Sequence, residues 1–411
     1  MAGVTREARL AADRLPDRVS IGVLTKVFPL ALVDAVIDEA GAREQRKRSL
    51  PARMTVYVTL AMWLFMGSGY DTVVRQLVEG LRWSRRGWGT WQVPSTGSIT
   101  KARVRLGSQP LRLLFGRVAG PVGTPETPGV FWRGLRVTAM DGSTLDIPDS
   151  PANAEEFGRP TSQHKPGPYP QVRLVGLAEC GSQALIDMKF GPFRSGEQTL
   201  AADLIESMTA EMLVLADRNF AGIRLMSAVA ATGADLLWRM PANFNLTVER
   251  VLSDGTYLTE LTARNRGKGR VRDPLTDCLT VRIIEYSVLT TDENGEQVSE
   301  LFCLATTLTD PATAPALELA QLYAQRWEFE TLLDALKTRQ RGPRVVLRSH
   351  TPDGVRQELW AMFCVYHALR ELIVTAADPA GIDPRRISFT HTLRTAGRSL
   401  TAPPFPPAPT T

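Results

Sequence analysis

Apolar residues recur at helical spacing through the first part of the chain. The stretches "VSIGVLTKVFPLALVDAVIDEAG" and "YDTVVRQLVEGLRW" carry an apolar residue every three or four positions, which predicts amphipathic helices. "SITKARVRLG" begins at Ser98 with a helix-start signal and ends at Gly107 with a stop signal, and "QPLRLLFGRVAG" begins another helix. The pattern predicts a helical domain over residues 1–118, whose last two helices fit either a helix-turn-helix or a plain bundle.

The pattern changes after a Gly/Pro-rich segment at residues 119–130, which predicts a linker and a domain boundary. Short alternating or wholly apolar runs then predict strands, with helices between them. The predicted order is three strands, a helix, a strand, a helix and a strand, read from "LRVTAMDGSTL", "QVRLVGLAEC", "QALIDMKFGPF", "GEQTLAADLIESMTA", "EMLVLAD", "AGIRLMSAVAATG" and "ADLLWRM". This is the order of a ribonuclease H-like α/β core, which needs one more helix.

That helix does not come next in the chain. Residues 242–307 are strand-rich, and a helix begins only near Pro315. The simplest prediction is an α/β fold in which a β-rich insertion splits the ribonuclease H-like core into residues 131–241 and 308–395. The proline-rich end, residues 396–411, is expected to be disordered.

The late helix carries an unusual set of polar residues within "YAQRWEFETLLDALK". On a helix turning about 100° per residue, with Tyr323 at zero, Arg326 lies at about −60°, Glu330 at about −20° and Lys337 at about −40°. All four therefore share one stripe of a helix roughly four turns long. Only 7 of the 48 basic residues are Lys and Tyr is equally scarce, so a chance origin of this spacing is remote. The set suits a carboxylate that holds a metal beside groups that hold phosphates.

Three carboxylates are predicted to converge in this core. Asp141 lies on the first predicted strand, Asp217 ends the fourth, and Glu330 belongs to the last helix, which packs beside the first strand. Close carboxylates repel each other unless cations compensate, and oxygen ligands favour Mg²⁺ or Mn²⁺. Two such ions can activate a water or a 3′-hydroxyl in phosphoryl transfer. Asp334, at about +20° on the same face, stays open as a rival to Glu330 on geometry alone.

Two other acids are weaker candidates for this site. Glu328 points about 140° away from Tyr323, so it is predicted to be a solvated or structural acid. Asp146 follows Asp141 by five residues, and strand alternation sends it to the opposite face. Asp334 is expected to pair with Lys337 or Arg339 if it is not a ligand.

Composition narrows the class of protein. The chain has 411 residues, 44% of them hydrophobic and 22% charged, as in a globular protein of two or three domains. Its net charge of +5 is compatible with nucleic acid, and three basic clusters, at residues 43–48, 82–86 and 339–348, favour a phosphate-tracking surface. The four dispersed cysteines and the N-terminus without an apolar core predict a cytoplasmic, nucleoid-associated protein without a signal peptide. No membrane partner is expected, since the apolar run Met54–Tyr70 fits a buried helix.

These motifs resemble the insertion-sequence-4 family of DDE transposases. The resemblance is carried over residues 15–395 by "MDGSTLDIPD", "LADRNFAG", the Y-x2-R-x3-E-x6-K spacing and "VVLRSHTPDGVRQELW". It implies a ribonuclease H-like core with an inserted β domain, an N-terminal domain that binds DNA ends, and Mg²⁺-dependent cleavage and transfer of strands at transposon ends. The implied partners are double-stranded DNA, as terminal inverted repeats and target, and a second copy of the chain in a synaptic complex.

The resemblance also implies roles for individual residues. It matches Asp141, Asp217 and Glu330 to the catalytic metal-binding triad, and so favours Glu330 over Asp334. The signature residues that it matches to DNA phosphate contacts near the cleaved end are Tyr323, Arg326 and Lys337. A Trp that stacks on a flipped base in some relatives suggests Trp238 for that role, although its apolar strand favours core packing. A nuclease without strand transfer and a catalytically inactive DNA-binding regulator remain the alternatives.

Overall fold

The computed structural model describes residues 22–46, 48, 50–79, 93–162, 165–242, 244, 246–262, 278–291, 297–342 and 346–401. Its helices are α1 (Gly22–Val27), α2 (Leu30–Glu39), α3 (Ala52–Ala61), α4 (Tyr70–Glu79), α5 (Thr96–Leu106), α6 (Gln109–Val118), α7 (Pro151–Phe157), α8 (Glu197–Ala202), α9 (Ile223–Ala231), α10 (Ala316–Tyr323), α11 (Trp327–Asp334), α12 (Pro352–Ala377) and α13 (Phe389–Thr401). Its strands are β1 (Phe131–Trp132), β2 (Leu135–Asp146), β3 (Thr161–Ser162), β4 (Lys165–Pro166), β5 (Gln171–Glu179), β6 (Leu185–Pro192), β7 (Met212–Ala216), β8 (Asp235–Arg239), β9 (Arg250–Val251), β10 (Tyr257–Thr262), β11 (Cys278–Thr291) and β12 (Gln297–Thr306).

The central sheet has the strand arrangement of a ribonuclease H-like core. β2, β5 and β6 form an antiparallel meander with β2 innermost, and β7 and then β8 add in parallel on the other side of β2. β7 is buried at every residue, as expected for a parallel strand covered on both faces. The predicted fold class is confirmed, and the arrangement puts β2 and β7 side by side at the centre of the sheet.

The strands of the predicted insertion continue the core sheet. β12 pairs with β8 in antiparallel register, with Leu304 opposite Arg239, and β11, β10 and β9 follow in order. The fully buried Arg282 of β11 donates to Thr256 Oγ1 at 2.8 Å and to the Ala314 carbonyl at 2.6 Å, just before α10. The segment is therefore tied to the core by strand pairing and by a buried cation, with no break in the sheet.

The N-terminal helices share a hydrophobic core with the C-terminal ones. α12 packs against α3, α5 and α6, while α13 packs against α1 and α4. Phe115 of α6, for example, contacts the rings of Trp360 and Phe363 of α12 at centroid distances of 5.5 and 5.8 Å. The helical character predicted for the N-terminal region is confirmed, and its core is continuous with that of the C-terminal helices.

α12 is also long and apolar enough to cross a membrane by length and composition alone. Within the candidate span Pro352–Ala380, 72% of the most apolar 18-residue stretch is buried inside the protein. Its burial against the helices around it accounts for the apolar composition.

The structure adds to some local expectations and corrects others. The segment 119–130, predicted to be a linker, contacts the core, since the backbone N–H of Gly123 donates to buried Glu179 at 2.8 Å. The loop before β5 contains α7 and the small β3–β4 pair, and the helix predicted from "GEQTLAADLIESMTA" is short, ending at Ala202. The tail predicted to be disordered from residue 396 is helical as far as Thr401, and residues 402–411 lie outside the described residues.

Candidate active site

Asp141 and Asp217 meet at the same level of two neighbouring parallel strands. Met140 of β2 is paired with Ala216 of β7, so Asp141 and Asp217 each come one residue later. Adjacent strands lie about 4.8 Å apart, which brings the two carboxylates to one edge of the sheet. Asp217 directly follows the last residue of β7, where the chain leaves the sheet.

The third carboxylate comes from a helical segment of three different geometries. α10 is followed by a 3-10 turn at Ala324–Arg326, then by α11, which carries Glu330, and then by a π-helical turn at Ala335–Gln340. The sequence predicted a uniform helix here. A 3-10 turn advances about 120° per residue and a π turn less than an α-helix, so the polar stripe is not straight. α11 nevertheless packs on β2, as predicted.

Arg326 joins two of the three carboxylates. Its Nη1 donates to Asp141 Oδ2 at 3.0 Å and its Nη2 donates to Glu330 Oε1 at 3.1 Å. The Arg326 side chain is 8% exposed, whereas that of Glu330 is 44% exposed. The sequence predicted Arg326 beside the metal ligands as a phosphate contact, but its partners in this structure are the carboxylates themselves.

The Asp141 carboxyl is the electrostatic centre of the site. Burial, with smaller contributions from the charges of Asp217 and Glu330, raises its pKa to about 6, and the Gly142 N–H and the Arg326 guanidinium oppose the shift. The Gly142 N–H donates to Asp141 Oδ1 at 2.7 Å. The three predicted ligands are therefore close enough to act on one another's charge.

Tyr323 is a buried anchor between the helix and the sheet. Its hydroxyl donates to the Ala216 carbonyl at 3.2 Å, at the residue before Asp217. Burial raises the pKa of this phenol, and the charge of Asp217 adds to the shift. The side chain is 3% exposed, so in this conformation its contact is with the strand carrying Asp217.

Lys337 reaches the strand that carries Asp141. Its Nζ donates to Ser143 Oγ at 2.7 Å, two residues after Asp141. Burial lowers the pKa of Lys337, Arg341 lowers it further, and Asp146 opposes the shift. Ser143 escaped the sequence analysis, although its position two residues from Asp141 on a strand was a usable signal.

Each of the rival acids has a hydrogen-bond partner in this structure. Asp334 Oδ2 accepts from Arg339 Nε at 3.0 Å, one of the two partners predicted for it. Glu328 accepts from the Gly181 N–H at 2.7 Å and from Arg385 Nη1 at 2.8 Å, and is structural as predicted. Asp146 accepts from Gln171 at 2.7 Å.

Trp238 packs in the core. Its side chain is fully buried, which agrees with the packing that its apolar strand favoured over base stacking.

Of the three basic clusters, residues 82–86 lie outside the described residues.

The carboxylates of the site have the chemistry of ligands for a hard divalent cation. Within the described ranges no group of three or more His, Cys, Asp or Glu side chains is close enough together to hold a metal ion. Arg326 lies between Asp141 and Glu330 and already neutralises part of their charge. Carboxylate oxygens are the ligands that Mg²⁺ and Mn²⁺ prefer, so the donor types of Asp141, Asp217 and Glu330 suit such an ion, although the guanidinium bridges two of them in this structure.

Comparisons with known proteins identify the class. A family model described as "Insertion element 4 transposase N-terminal" matches residues 18–116, and one described as "Transposase DDE domain" matches residues 132–367. With its ribonuclease H-like core and its strand-borne carboxylates, the chain is a DDE-type transposase.

Named relatives place it within that class. It is 30% identical over 373 residues to the transposase InsG for insertion sequence element IS4 of Escherichia coli K12, covering 90% of this chain and 80% of InsG. The chain belongs to the IS4 family of transposases. The putative transposase InsZ of the same organism is 27% identical over 207 residues, covering 50% of this chain and 66% of InsZ.

A solved structure is also similar to this chain. The cryo-EM structure of the piggyBac transposase synaptic complex with hairpin DNA matches 94% of this chain and 82% of that chain, at 13% identity and a TM-score of 0.46.

Proposed function

We propose that this transposase cuts the ends of its element and joins them to target DNA by divalent-metal-dependent phosphoryl transfer. The observation that carries the proposal is the juxtaposition of Asp141 and Asp217 at one register, with Glu330 linked to Asp141 through Arg326. DDE transposases generally depend on divalent metals. Asp141, Asp217 and Glu330 would hold two Mg²⁺ or Mn²⁺ ions, which activate a water or a 3′-hydroxyl and stabilise the leaving oxygen.

The other side chains at this edge position the reactants. Lys337 lies within reach of Ser143 and shares its surroundings with Arg341, whose Nε donates to the Lys337 carbonyl at 3.1 Å. Two partly buried cations on one side of the carboxylates suit a DNA phosphate held beside the scissile bond. Tyr323 holds the helix against the strand of Asp217, so the carboxylates keep their separation while DNA is bound.

The partner is double-stranded DNA, and the assembly contains at least two copies of the chain. The ends are the terminal inverted repeats of the element, bound largely by the N-terminal helices, and the target is a second duplex. Two ends must be held together before joining, which requires a dimer in a synaptic complex. Such an enzyme works in the cytoplasm at the nucleoid.

The first test is cleavage and joining of a duplex that carries the terminal repeat of the element. Asp141→Asn, Asp217→Asn and Glu330→Gln should each lower cleavage by at least about 10³-fold while end binding stays within about threefold, since each removes a metal ligand from transition-state stabilisation. Asp334→Asn is the matched control and should cleave like the natural protein, because its partner is Arg339.

The products on a gel with and without Mg²⁺ separate the alternatives. Cleaved and joined products from the natural chain support a transposase. Cleaved ends that are never joined indicate a nuclease, and end binding without cleavage indicates a DNA-binding regulator. Full activity of Glu330→Gln with loss in Asp334→Asn would reverse the assignment on the helix.

A further inference from the structure

Arg326 binds two of the three carboxylates that would hold the metal in the proposed function. Its two terminal nitrogens donate to Asp141 Oδ2 and Glu330 Oε1 at 3.0 and 3.1 Å. The Gly142 N–H already donates to the other oxygen of Asp141 at 2.7 Å. Each Asp141 oxygen therefore accepts one hydrogen bond, and the guanidinium holds the side of Asp141 that faces Glu330.

The guanidinium is incompletely satisfied where it lies. Its side chain is 8% exposed, and Nε is buried without a hydrogen-bond partner among the described residues. The ring of Trp327 stacks on it at 4.8 Å. A buried N–H left unpaired costs free energy, so this site lacks one hydrogen bond that another partner can supply.

We propose that Arg326 competes with the divalent metal for Asp141 and Glu330. Arg326 must leave both carboxylates before the metal binds, and its guanidinium then binds a DNA phosphate. The inference rests on the proposed function and adds its regulation. A guanidinium and a divalent ion repel each other and compete for the same oxygens, so both do not share them. A phosphate accepts paired hydrogen bonds from the planar guanidinium as well as a carboxylate does, and its oxygens can also accept a hydrogen bond from Nε.

The exchange couples metal binding to DNA binding. A phosphate that draws Arg326 away frees both carboxylates, so DNA raises the affinity for metal. By reciprocity, metal raises the affinity for DNA by the same factor. Without DNA, Arg326 stays on Asp141 and Glu330 and keeps the metal out. The metal-loaded, reactive form is therefore confined to DNA-bound protein.

The test measures metal binding directly, without reference to activity. Mn²⁺ is titrated into the full chain and the free ion is followed by electron paramagnetic resonance, with and without a duplex ending in the terminal repeat. Arg326→Gln removes the charge, and Arg339→Gln is the matched control, since its pair with Asp334 is half-exposed and lies outside the site. We expect Arg326→Gln to bind Mn²⁺ at least about 10-fold more tightly without DNA, and Arg339→Gln to bind like the natural chain.

The DNA arm tests the transfer. DNA should tighten Mn²⁺ binding by the natural chain. The ratio of Mn²⁺ affinities with and without DNA should be at least about threefold smaller for Arg326→Gln than for the natural chain. Equal or weaker Mn²⁺ binding by Arg326→Gln would mean that Arg326 supports the metal site, and would overturn the proposal. If Arg326→Gln does not fold, Arg326→Lys, which keeps the charge but cannot bridge both carboxylates, should show the same tightening to a smaller extent; no tightening again overturns it.

A third variant separates this inference from the proposed function. Asp141→Asn should lower Mn²⁺ affinity both in the natural chain and in combination with Arg326→Gln. If Mn²⁺ binding survives Asp141→Asn, the metal site of the proposed function is wrong. If that variant loses Mn²⁺ while Arg326→Gln gains nothing, the metal site stands and only the competition by Arg326 fails.

Discussion

Burial changes the pKa of His367, a residue that lies away from the active site. It lies on α12 at 1% exposure, and its Nδ1 has no hydrogen-bond partner within the described part of the chain. Burial lowers the pKa of His367 to about 4, and a hydrogen bond with the Leu185 backbone opposes the shift. The imidazole is therefore neutral in the folded protein at pH values where the unfolded chain already binds a proton.

This residue predicts a pH dependence with a definite sign. The folded pKa is depressed below the usual value of about 6.5, so the unfolded state binds more protons between pH 6.5 and 4, and stability falls as pH falls through that window. His367 should contribute a loss of about 2–3 kcal/mol between pH 7.5 and 4.5. Urea unfolding at both pH values should show a smaller loss for His367→Gln. The exposed His391→Gln is the control, and an equal loss in all three proteins would contradict the assignment.

A glycine sets the distance between α11 and the sheet. Gly176 of β5 is paired with Asp141 of β2. A Cβ at Gly176 would lie 2.9 Å from Phe329 Cζ and closer still to Met188 Sδ. Phe329 precedes Glu330 on α11, so the absence of a side chain at Gly176 lets α11 approach the strand that carries Asp141.

Gly176→Ala should therefore lower both stability and cleavage. Overpacking a filled site costs about 1–3 kcal/mol, and moving Phe329 displaces Glu330 from Asp141. Gly116→Ala is a control on the exposed face of α6, where nothing lies within 4 Å of an added Cβ; it should gain about 0.5–1 kcal/mol. The measurements are thermal melting and cleavage of the terminal-repeat duplex. An unchanged cleavage rate in Gly176→Ala would contradict the inference that Gly176 determines the position of Glu330 relative to Asp141.

At the scale of the whole molecule, buried polar contacts join segments far apart in the sequence. Arg103 of α5 donates to Gln357 at 2.7 Å and to Glu358 at 3.1 Å, both on α12, and it donates to the Tyr70 hydroxyl at 2.5 Å. Arg103 and Glu358 are 6% and 2% exposed in their side chains. Since the N-terminal helices and α12 also share a hydrophobic core, we expect them to unfold together.

Breaking this pair should destabilise the protein as a unit. Arg103→Met leaves Glu358 buried without its cation, which costs about 3–5 kcal/mol, while Arg103→Met with Glu358→Leu should recover most of the loss. Arg117→Met breaks an exposed pair with Glu39 and should cost at most about 1 kcal/mol. Calorimetry should show one shifted transition for Arg103→Met. A separate early transition of the N-terminal helices would contradict a shared core.

Local periodicity determined much of this protein before any contact was known. The order of strands and helices, the break between helical and strand-rich parts, and the elements that carry Asp141, Asp217 and Glu330 follow from the spacing of apolar and polar residues, whereas the choice of Glu330 over Asp334 came from the family resemblance. Spacing also predicted a partner for Asp334 within two helical turns, either Lys337 or Arg339, and the partner is Arg339. Such features depend on neighbours in the chain, which the sequence displays directly.

The tertiary structure alone decided which distant charges and surfaces meet. With 48 basic and 43 acidic residues, no spacing rule selects Arg326 for Asp141 at a separation of 185 residues, or Arg103 for Glu358 at 255. The pairing of β12 with β8 likewise depends on an open sheet edge, which exists only once the core has formed. These contacts arise because folding removes water from groups that then need partners, and the partner is whichever group the packed elements bring within reach.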